Sequence, residues 1–424
     1  MWRNLFWSAG SEGRVLKSYV APYYVVLCAC LLIVVGDLRY LISPIGYWLA
    51  WGGVVAVGCF LTGCMYYRKI EVDLFVYLVG FFLVFVSFIL SGIANESAYT
   101  LYQGIKILCV AVMFFCIYIN TENLTARRMY LISVICIGAG LFFFLMSKYF
   151  LRDLYIVFGD GRQGSVFAYP GVLWKTSVFF IGFITAGMFF GGENKVLSLF
   201  ALIGAMYLLF MDSSRTGFLM LSMIVVMFVM LYARINPRRV MFFSFMLLMC
   251  CVGLFLVYIS GVIAFSQSGE PLVLNRLAAG DPTRAQMLVD GISHAEQCIP
   301  LGCGFGTATT LVHGEPMVVH NAYLSAIGDI GVVGFVGMSI LMFSPICIFL
   351  WRLRGFRLAN KKSVMTIAYA IAAFGGASGY AFLMMLHPFS TELSEWGIWI
   401  IMVSVLSSLV RRMAECGAEE KKEA

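Results

Sequence analysis

The sequence predicts an all-α polytopic membrane protein with about 12 transmembrane helices, since about 20 apolar residues make one span and such runs recur along the chain. Of its 424 residues, 61% are hydrophobic and only 12% are charged. Soluble globular domains have roughly 45–50% apolar and about 25% charged residues. The composition therefore argues against a soluble enzyme, and it excludes a nucleic-acid-binding module, a small disulfide-stapled fold and a disordered scaffold.

Apolar runs bounded by charges or turn residues define the predicted spans. They cover residues 22–36, 46–67, 73–93, 101–119, 129–147, 171–190, 195–211, 216–233, 240–265, 331–351, 364–386 and 393–410. Neither an internal repeat nor a soluble domain interrupts this series, so we expect residues 1–424 to form a single integral membrane domain.

The distribution of Lys and Arg orients the chain, because these residues concentrate in the cytoplasmic loops of membrane proteins. Twenty of the 29 Lys and Arg residues fall in one set of alternate loops, which also contains both chain ends. Both termini are therefore expected in the cytoplasm. The segment 413–424 is a short charged tail on that side, and we expect it to fray.

Two longer loops, 148–170 and 266–320, lie on the opposite, outer side, and we expect them to contain short surface helices. A helix start is predicted at Asp281-Pro282-Thr283-Arg284, since Pro is favoured at the first helical position. Amphipathic spacing, typical of a helix along a membrane surface, follows at Ala285, Leu288, Val289 and Ile292.

The larger outer loop also contains Cys298 and Cys303. The two thiols either form a disulfide on this side of the membrane or stay free, and the sequence does not decide between these alternatives. No His or carboxylate is spaced from them as zinc ligands are, so we predict no metal site.

Outer loops are normally poor in cations, yet this chain places Arg162, Arg215, Arg276 and Arg284 there. Lys106 and Lys175 lie about five residues inside their predicted spans, where a charge is costly unless it is paired or solvated. Each lysine either snorkels to the interface or belongs to a functional site. Because guanidinium groups grip phosphate oxygens bidentately, the cluster suits a polyanion such as a diphosphate.

His320 is the best candidate for a general base, since a neutral imidazole accepts a proton near pH 7. If the run that follows it is one helix, His320 lies above Gly331 on the same face. The small residues Gly331, Gly334 and Gly337 would let another helix pack closely. The alternative for His320 is a structural role at the interface. Weaker rivals are His294, His313 and His387.

Several short motifs together resemble the O-antigen ligase and O-antigen polymerase superfamily of bacterial envelope glycosyltransferases. The ligase signature is similar to His320-Asn321, nine residues, and Gly331-x-x-Gly334, although Phe335 stands where Gly, Thr or Tyr usually follows. The other matching segments are Arg162-Gln163-Gly164-Ser165 with Pro170, Ser214-Arg215-Thr216-Gly217, Asp281-Pro282-Thr283-Arg284 and Pro300-Leu301-Gly302-x-Gly304.

The resemblance implies an enzyme of the bacterial inner membrane with a periplasmic active site and no cofactor. Such an enzyme takes a glycan from undecaprenyl diphosphate. A ligase transfers the glycan to the lipid A-core of lipopolysaccharide, whereas a polymerase transfers it to another undecaprenyl-linked repeat unit. The His-Asn signature favours a ligase, and the membrane lipids are its other expected partners.

We expect His320 to take the proton of the acceptor hydroxyl while Arg215 and Arg284 bind the diphosphate, in a one-step displacement that inverts the anomeric centre. The predicted substrate-binding residues of the second rank are Lys106, Arg162, Lys175, Arg276 and Asn321. A competing interpretation from another class is a flippase for lipid-linked sugars. Transporters of this kind usually show internal repeats and polar residues at the midplane, whereas the charges here crowd one face.

Overall fold

The structure is a computed structural model that describes residues 11–66, 71–158, 161–235, 282–312, 314–354 and 361–423. The fold is mostly α-helical, as the sequence predicts. The helices are α1 (Ser11–Val34), α2 (Arg39–Ile42), α3 (Pro44–Tyr47), α4 (Gly53–Tyr66), α5 (Val72–Ala94), α6 (Ala98–Thr121), α7 (Ala126–Tyr149), α8 (Lys175–Ala186), α9 (Lys195–Asp212), α10 (Arg215–Ile235), α11 (Pro282–Cys298), α12 (Ala322–Arg354), α13 (Lys361–Leu383) and α14 (Leu393–Glu423). Short 3-10 segments at Gly36–Leu38 and Arg152–Leu154 and π turns at Trp48–Gly52 and Gly187–Gly191 complete the helical part.

Eight described helices are long and apolar enough to cross a membrane. A ninth candidate is the pair Val20–Val34 and Gly36–Ile42, which is bent by 64°, and Lys175–Gly191 and Arg215–Met230 are apolar but shorter. A helix occupies every predicted span except 240–265, which lies outside the described residues. A multi-pass membrane protein is therefore supported, and the count of twelve spans stays a prediction.

Several helices begin where the sequence supplies a capping side chain. Ser97 accepts a hydrogen bond from the Thr100 N–H at the start of α6, and Asn194 accepts from two N–H groups at the start of α9. Such caps satisfy backbone donors that have no partner inside the helix. They fix where the spans end and the loops begin.

Helix α14 lies at the centre of the bundle, because 89% of the span Leu393–Met413 is buried, against 22% for the peripheral span Pro44–Gly63. Its Trp396 and Trp399 pack against Phe81 of α5 with ring centroids 5.6 and 5.7 Å apart. Tilted and edge-on aromatic pairs of this kind contribute about 0.5–1.5 kcal/mol each beyond their burial. The start of α14 is thus held firmly at one end of the bundle.

Helices α5 and α12 approach closely along glycines. A Cβ added at Gly337 would lie 2.8 Å from the Gly80 carbonyl oxygen, and one at Gly334 would lie 2.6 Å from the Ser87 hydroxyl. Small residues permit this backbone approach in membrane bundles. The close packing expected at Gly334 is therefore seen against α5.

The expectation that His320 stacks above Gly331 on one continuous helix is wrong. Helix α12 is broken at Gly331, where φ is 81° and ψ is −176°. A side chain at this position would collide with the Pro300 carbonyl oxygen, which itself accepts a hydrogen bond from the Val332 N–H at 3.0 Å. The loop that contains Pro300 thus crosses the helix at the break. Its carbonyl oxygen accepts the Val332 N–H in place of a carbonyl oxygen of the helix.

The outer loops differ in part from the prediction. Residues 148–170 contain one 3-10 turn and an antiparallel hairpin of β1 (Tyr155–Val157) and β2 (Gln163–Ser165). Residues 266–320 contain the predicted helix α11, followed by a hairpin of β3 (Thr309–Val312) and β4 (Glu315–Val318). The predicted tail is helical as far as Glu423, the last residue of α14, and its fraying stays a prediction.

Candidate functional site

Ion pairs sort the helix ends into two groups. At one end, which we call the site end, Arg39 and Lys106 both contact Glu392, at 2.9 and 2.8 Å, and Lys175 contacts Glu395 at 2.7 Å. The opposite end holds the pairs Arg411–Glu71 and Arg127–Glu193. This grouping agrees with the alternation of the predicted loops. Of the predicted site residues, Lys106 and Lys175 belong to these pairs, and Arg162 is paired with Asp212, the last residue of the helix before Arg215.

His320 lies between β4 and α12 and is partly buried. Its Nδ1 is 2.8 Å from the Val318 carbonyl oxygen. A carbonyl oxygen only accepts, so Nδ1 carries the proton, and in the neutral ring Nε2 carries the lone pair. The short turn between hairpin and helix therefore fixes the tautomer that a general base requires.

Asn321 caps helix α12. Its Oδ1 accepts hydrogen bonds from the Tyr323 and Leu324 N–H groups at 3.1 and 3.2 Å. This contact fixes the direction in which the chain leaves His320. A substrate contact of Asn321 stays a prediction.

His387 lies in the turn between α13 and α14, and the sequence ranks it below His320. Burial lowers the pKa of its ring well below the ordinary value, and the positive charges of Lys175, His320, Arg284 and Arg162 lower it further, in that order. Four predicted site residues from separate segments thus act on one imidazole. The pKa shift thus associates His387 with the predicted site residues.

Arg162 is held by Asp212, the last residue of α9. Its Nη2 lies 2.9 Å from Asp212 Oδ1, and its Nε donates to the Asp212 carbonyl oxygen at 3.1 Å. The same carboxylate accepts hydrogen bonds from the N–H groups of Gly171 and Trp174, at 2.5 and 3.0 Å. Asp212 therefore ties the first outer loop to the turn from which Arg215 begins α10.

Lys106 and Lys175 are paired with carboxylates rather than extended to the interface. Their side chains are 7% and 1% exposed, and Lys175 is the first residue of α8 instead of lying inside the span. Burial raises the pKa of Glu392, but the hydrogen bond from Lys106 and the charge of Arg39 outweigh this and hold it below the ordinary value. Neither lysine therefore snorkels to the interface.

Arg284 lies in the first turn of α11, as expected. The helix packs Met287, Ala295 and Cys298 inward. The apolar residues that predicted a surface helix are exposed; the larger ones are Leu288, Val289 and Ile292. This is the pattern of a helix lying on a membrane surface. Arg276 lies outside the described residues.

Cys298 and Cys303 form a disulfide, which settles the alternative that the sequence leaves open. The His294 Nε2 lies 3.6 Å from the Cys298 sulfur, so the structure brings a histidine to this pair. Because the sulfurs are bonded to each other, they offer no thiolate to a metal ion. The disulfide instead closes the loop that carries Pro300 to the break in α12.

The glycine-rich loop after the disulfide is organised by Asp329 of α12. Its carboxylate accepts hydrogen bonds from the N–H groups of Gly306 and Ala308, both at 2.9 Å. The Ala308 carbonyl oxygen accepts from the Val319 N–H at 2.9 Å, next to His320. The loop therefore supports the histidine through the backbone and carries no sign of a phosphate cradle of its own.

The carboxylates that pair with the cations of the site belong to no sequence motif. Asp212, Glu392 and Glu395 follow no pattern, and the only available signal is that buried lysines need carboxylates on the same side of the membrane. A scan of the chain against protein-family models finds no match, and a search of the curated proteins finds no relative. The family resemblance accordingly rests on the motifs alone.

Proposed function

We propose that the chain is a metal-independent glycosyltransferase that moves a glycan from undecaprenyl diphosphate to the lipid A-core of lipopolysaccharide, as an O-antigen ligase does. The observation that carries the proposal is the gathering of cations at the site end, where Glu392 and Glu395 hold Arg39, Lys106 and Lys175 at the start of α14. Several cations from distant segments at one helix end suit a polyanionic ligand. A histidine among them, with its tautomer fixed, suits proton transfer.

In this proposal, His320 Nε2 takes the proton from a sugar hydroxyl of the acceptor. The hydroxyl oxygen attacks the anomeric carbon, and the bond to the diphosphate breaks with its electron pair on the leaving oxygen. Arg215 and Arg284 stabilise the charge that grows there. Displacement in one step inverts the anomeric centre.

The site end faces the periplasm in this proposal, and both termini lie in the cytoplasm of a bacterium with an inner membrane. The support is the excess of Lys and Arg on the opposite side of the chain. The exposed apolar stripe of α11 supports a site close to the membrane surface, where a lipid-linked donor presents its diphosphate.

The second candidate is a polymerase that extends undecaprenyl-linked repeat units, since the same cations and histidine suit either acceptor. The His320-Asn321 signature favours the ligase. A flippase receives less support, because the ion-paired charges of the described helices gather at the helix ends rather than along a path between them.

The test is transfer by the purified protein without added metal. An undecaprenyl-diphosphate-linked glycan is offered with lipid A-core in one reaction and with further lipid-linked units alone in another. Product on the lipid A-core supports the ligase, and lengthened lipid-linked chains identify a polymerase. Absence of both products with folded protein contradicts the proposal.

A further inference from the structure

Three side chains with metal-ligating atoms lie together at the C-terminal end of α11. His294 and Cys298 both belong to this helix, and Cys303 follows in the next loop. One ring nitrogen of His294 and the two sulfurs all lie within 4.8 Å of one another. Imidazole and thiolate are ligands that zinc prefers. This group, which we call the His-Cys-Cys cluster, therefore has the donor set of a zinc site once its sulfurs are free.

The distances within the cluster suit a shared metal ion. Nδ1 and Nε2 of His294 lie 3.9 and 3.6 Å from the Cys298 sulfur. A nitrogen and a sulfur bound to one tetrahedral zinc ion stand about 3.5 Å apart, since the bonds are about 2.0 and 2.3 Å long. The histidine is thus already at the required separation. The main change needed is that the two sulfurs separate to about 3.8 Å.

Neighbouring groups fix the ring of His294. Its Nε2 lies 3.2 Å from the Thr307 hydroxyl oxygen. That hydroxyl has one proton to donate, and its acceptors are the Gly304 carbonyl oxygen at 2.7 Å and the Asp329 carboxylate at 3.2 Å. The hydroxyl therefore accepts from Nε2, and Nδ1 carries the lone pair that a metal ion requires. Metal-bound histidines usually have such a partner on the other nitrogen.

The backbone holds the two cysteines together independently of the disulfide. The Cys303 N–H donates to the Gly328 carbonyl oxygen of α12 at 2.8 Å, and the Gly302 N–H donates to the Cys298 carbonyl oxygen at 2.8 Å. Asn95 of α5 also donates to the Gly302 carbonyl oxygen at 2.9 Å. Opening the disulfide therefore leaves the two thiols side by side, and rotation about the Cα–Cβ bonds separates the sulfurs.

Exposure decides which sulfur a reductant reaches. Cys298 is buried, whereas Cys303 is partly exposed. A dithiol attacks the Cys303 sulfur as its thiolate, the S–S bond breaks, and Cys298 leaves as a thiolate beside His294. The second thiol of the reductant then displaces Cys303. The reductant leaves as a disulfide, and its two protons and two electrons stay with the cluster as two thiols.

We propose that the His-Cys-Cys cluster is a zinc site that forms only on reduction and is closed as a disulfide in the oxidised chain. The ligands are Nδ1 of His294 and the thiolates of Cys298 and Cys303, and a water molecule supplies the fourth. Binding of Zn²⁺ releases the two thiol protons. The inference is independent of the proposed transfer reaction, and it departs from the prediction from sequence that these cysteines bind no metal.

The experiment measures the zinc affinity of the full chain in detergent by competition with a chromophoric chelator. The oxidised chain is compared with the chain reduced by a phosphine, because a dithiol would itself bind zinc. His294→Gln removes the nitrogen ligand and leaves both thiols in place. The matched control Cys347→Ser removes an exposed thiol of α12 outside the cluster.

We expect reduced wild type and reduced Cys347→Ser to bind one zinc ion per chain with equal affinity. Losing only the hydrogen-bond partner of a metal ligand costs about 10- to 100-fold in affinity, so loss of the ligand in His294→Gln should cost more than about 100-fold. The oxidised chain should bind none at this site. Equal affinity of wild type and His294→Gln, no binding to reduced wild type, or equal binding by the oxidised chain overturns the inference.

A second measurement uses wild type alone, in case His294→Gln does not fold. The reduced chain is treated with iodoacetamide with and without zinc, and mass spectrometry of its peptides follows each cysteine. We expect zinc to slow alkylation of Cys298 and Cys303 and to leave the exposed Cys347 unchanged. Alkylation of Cys298 and Cys303 at the same rate with and without zinc overturns the inference.

Discussion

The ion pair of Lys175 and Glu395 allows a structural role of the lysine to be separated from a functional one. Lys175 is 1% exposed and Glu395 20%, and both carboxylate oxygens lie 2.7 Å from the lysine Nζ. Glu395→Gln leaves a buried ammonium without its partner, which we expect to lower the free energy of unfolding by about 3–5 kcal/mol. Adding Lys175→Met removes that charge, so most of the loss should be recovered.

Thermal unfolding of the purified variants in detergent measures this cycle. The control is Glu193→Gln at the opposite end, where the partner Arg127 is 78% exposed and the pair is 3.9 Å long, so we expect a change below about 1 kcal/mol. Wild-type stability of Glu395→Gln, or a double variant no more stable than it, refutes the reasoning. If the double variant regains stability and binds farnesyl diphosphate, a short soluble lipid diphosphate, as wild type does, Lys175 has a structural role. If the double variant is stable but no longer binds this ligand, Lys175 contacts it.

Three further outcomes test the architecture. Gly331→Ala should destabilise the chain by more than about 1–3 kcal/mol, since it combines a positive φ of 81° with a collision against Pro300; wild-type thermal stability would contradict the break in α12. The pKa of Glu392 is lowered, so its stabilising contribution is present at neutral pH and is lost as the pH falls through that value; Glu392→Gln should therefore flatten the acid side of the stability profile. Non-reducing peptide mapping should recover Cys298 linked to Cys303, and free thiols at both positions would refute the disulfide.

The sequence predicts the parts of this fold that depend on local pattern. Apolar runs locate the helices, and Pro282 with Arg284 marks the start of α11, because helix starts follow rules within one turn. The sequence also locates the cations of the outer side, because Lys and Arg are normally rare in loops that cross the membrane to that side.

The remaining features depend on contacts between distant parts of the chain. Lys175 finds Glu395 at a separation of 220 residues, and Gly331 leaves the helix because Pro300 crosses it. Neither contact has a local signal. The low rank of His387 has the same origin, because the charges that lower the pKa of its ring lie on four other segments.

The most direct test of the proposed function is the initial rate of glycan transfer from an undecaprenyl-diphosphate-linked donor, measured without metal for wild type, His320→Ala and the control His294→Ala. We expect wild type and His294→Ala to transfer at similar rates, and His320→Ala, folded and inserted, to be slower by about 100- to 10,000-fold, the range for loss of a general base. Transfer by His320→Ala at the wild-type rate would contradict the account.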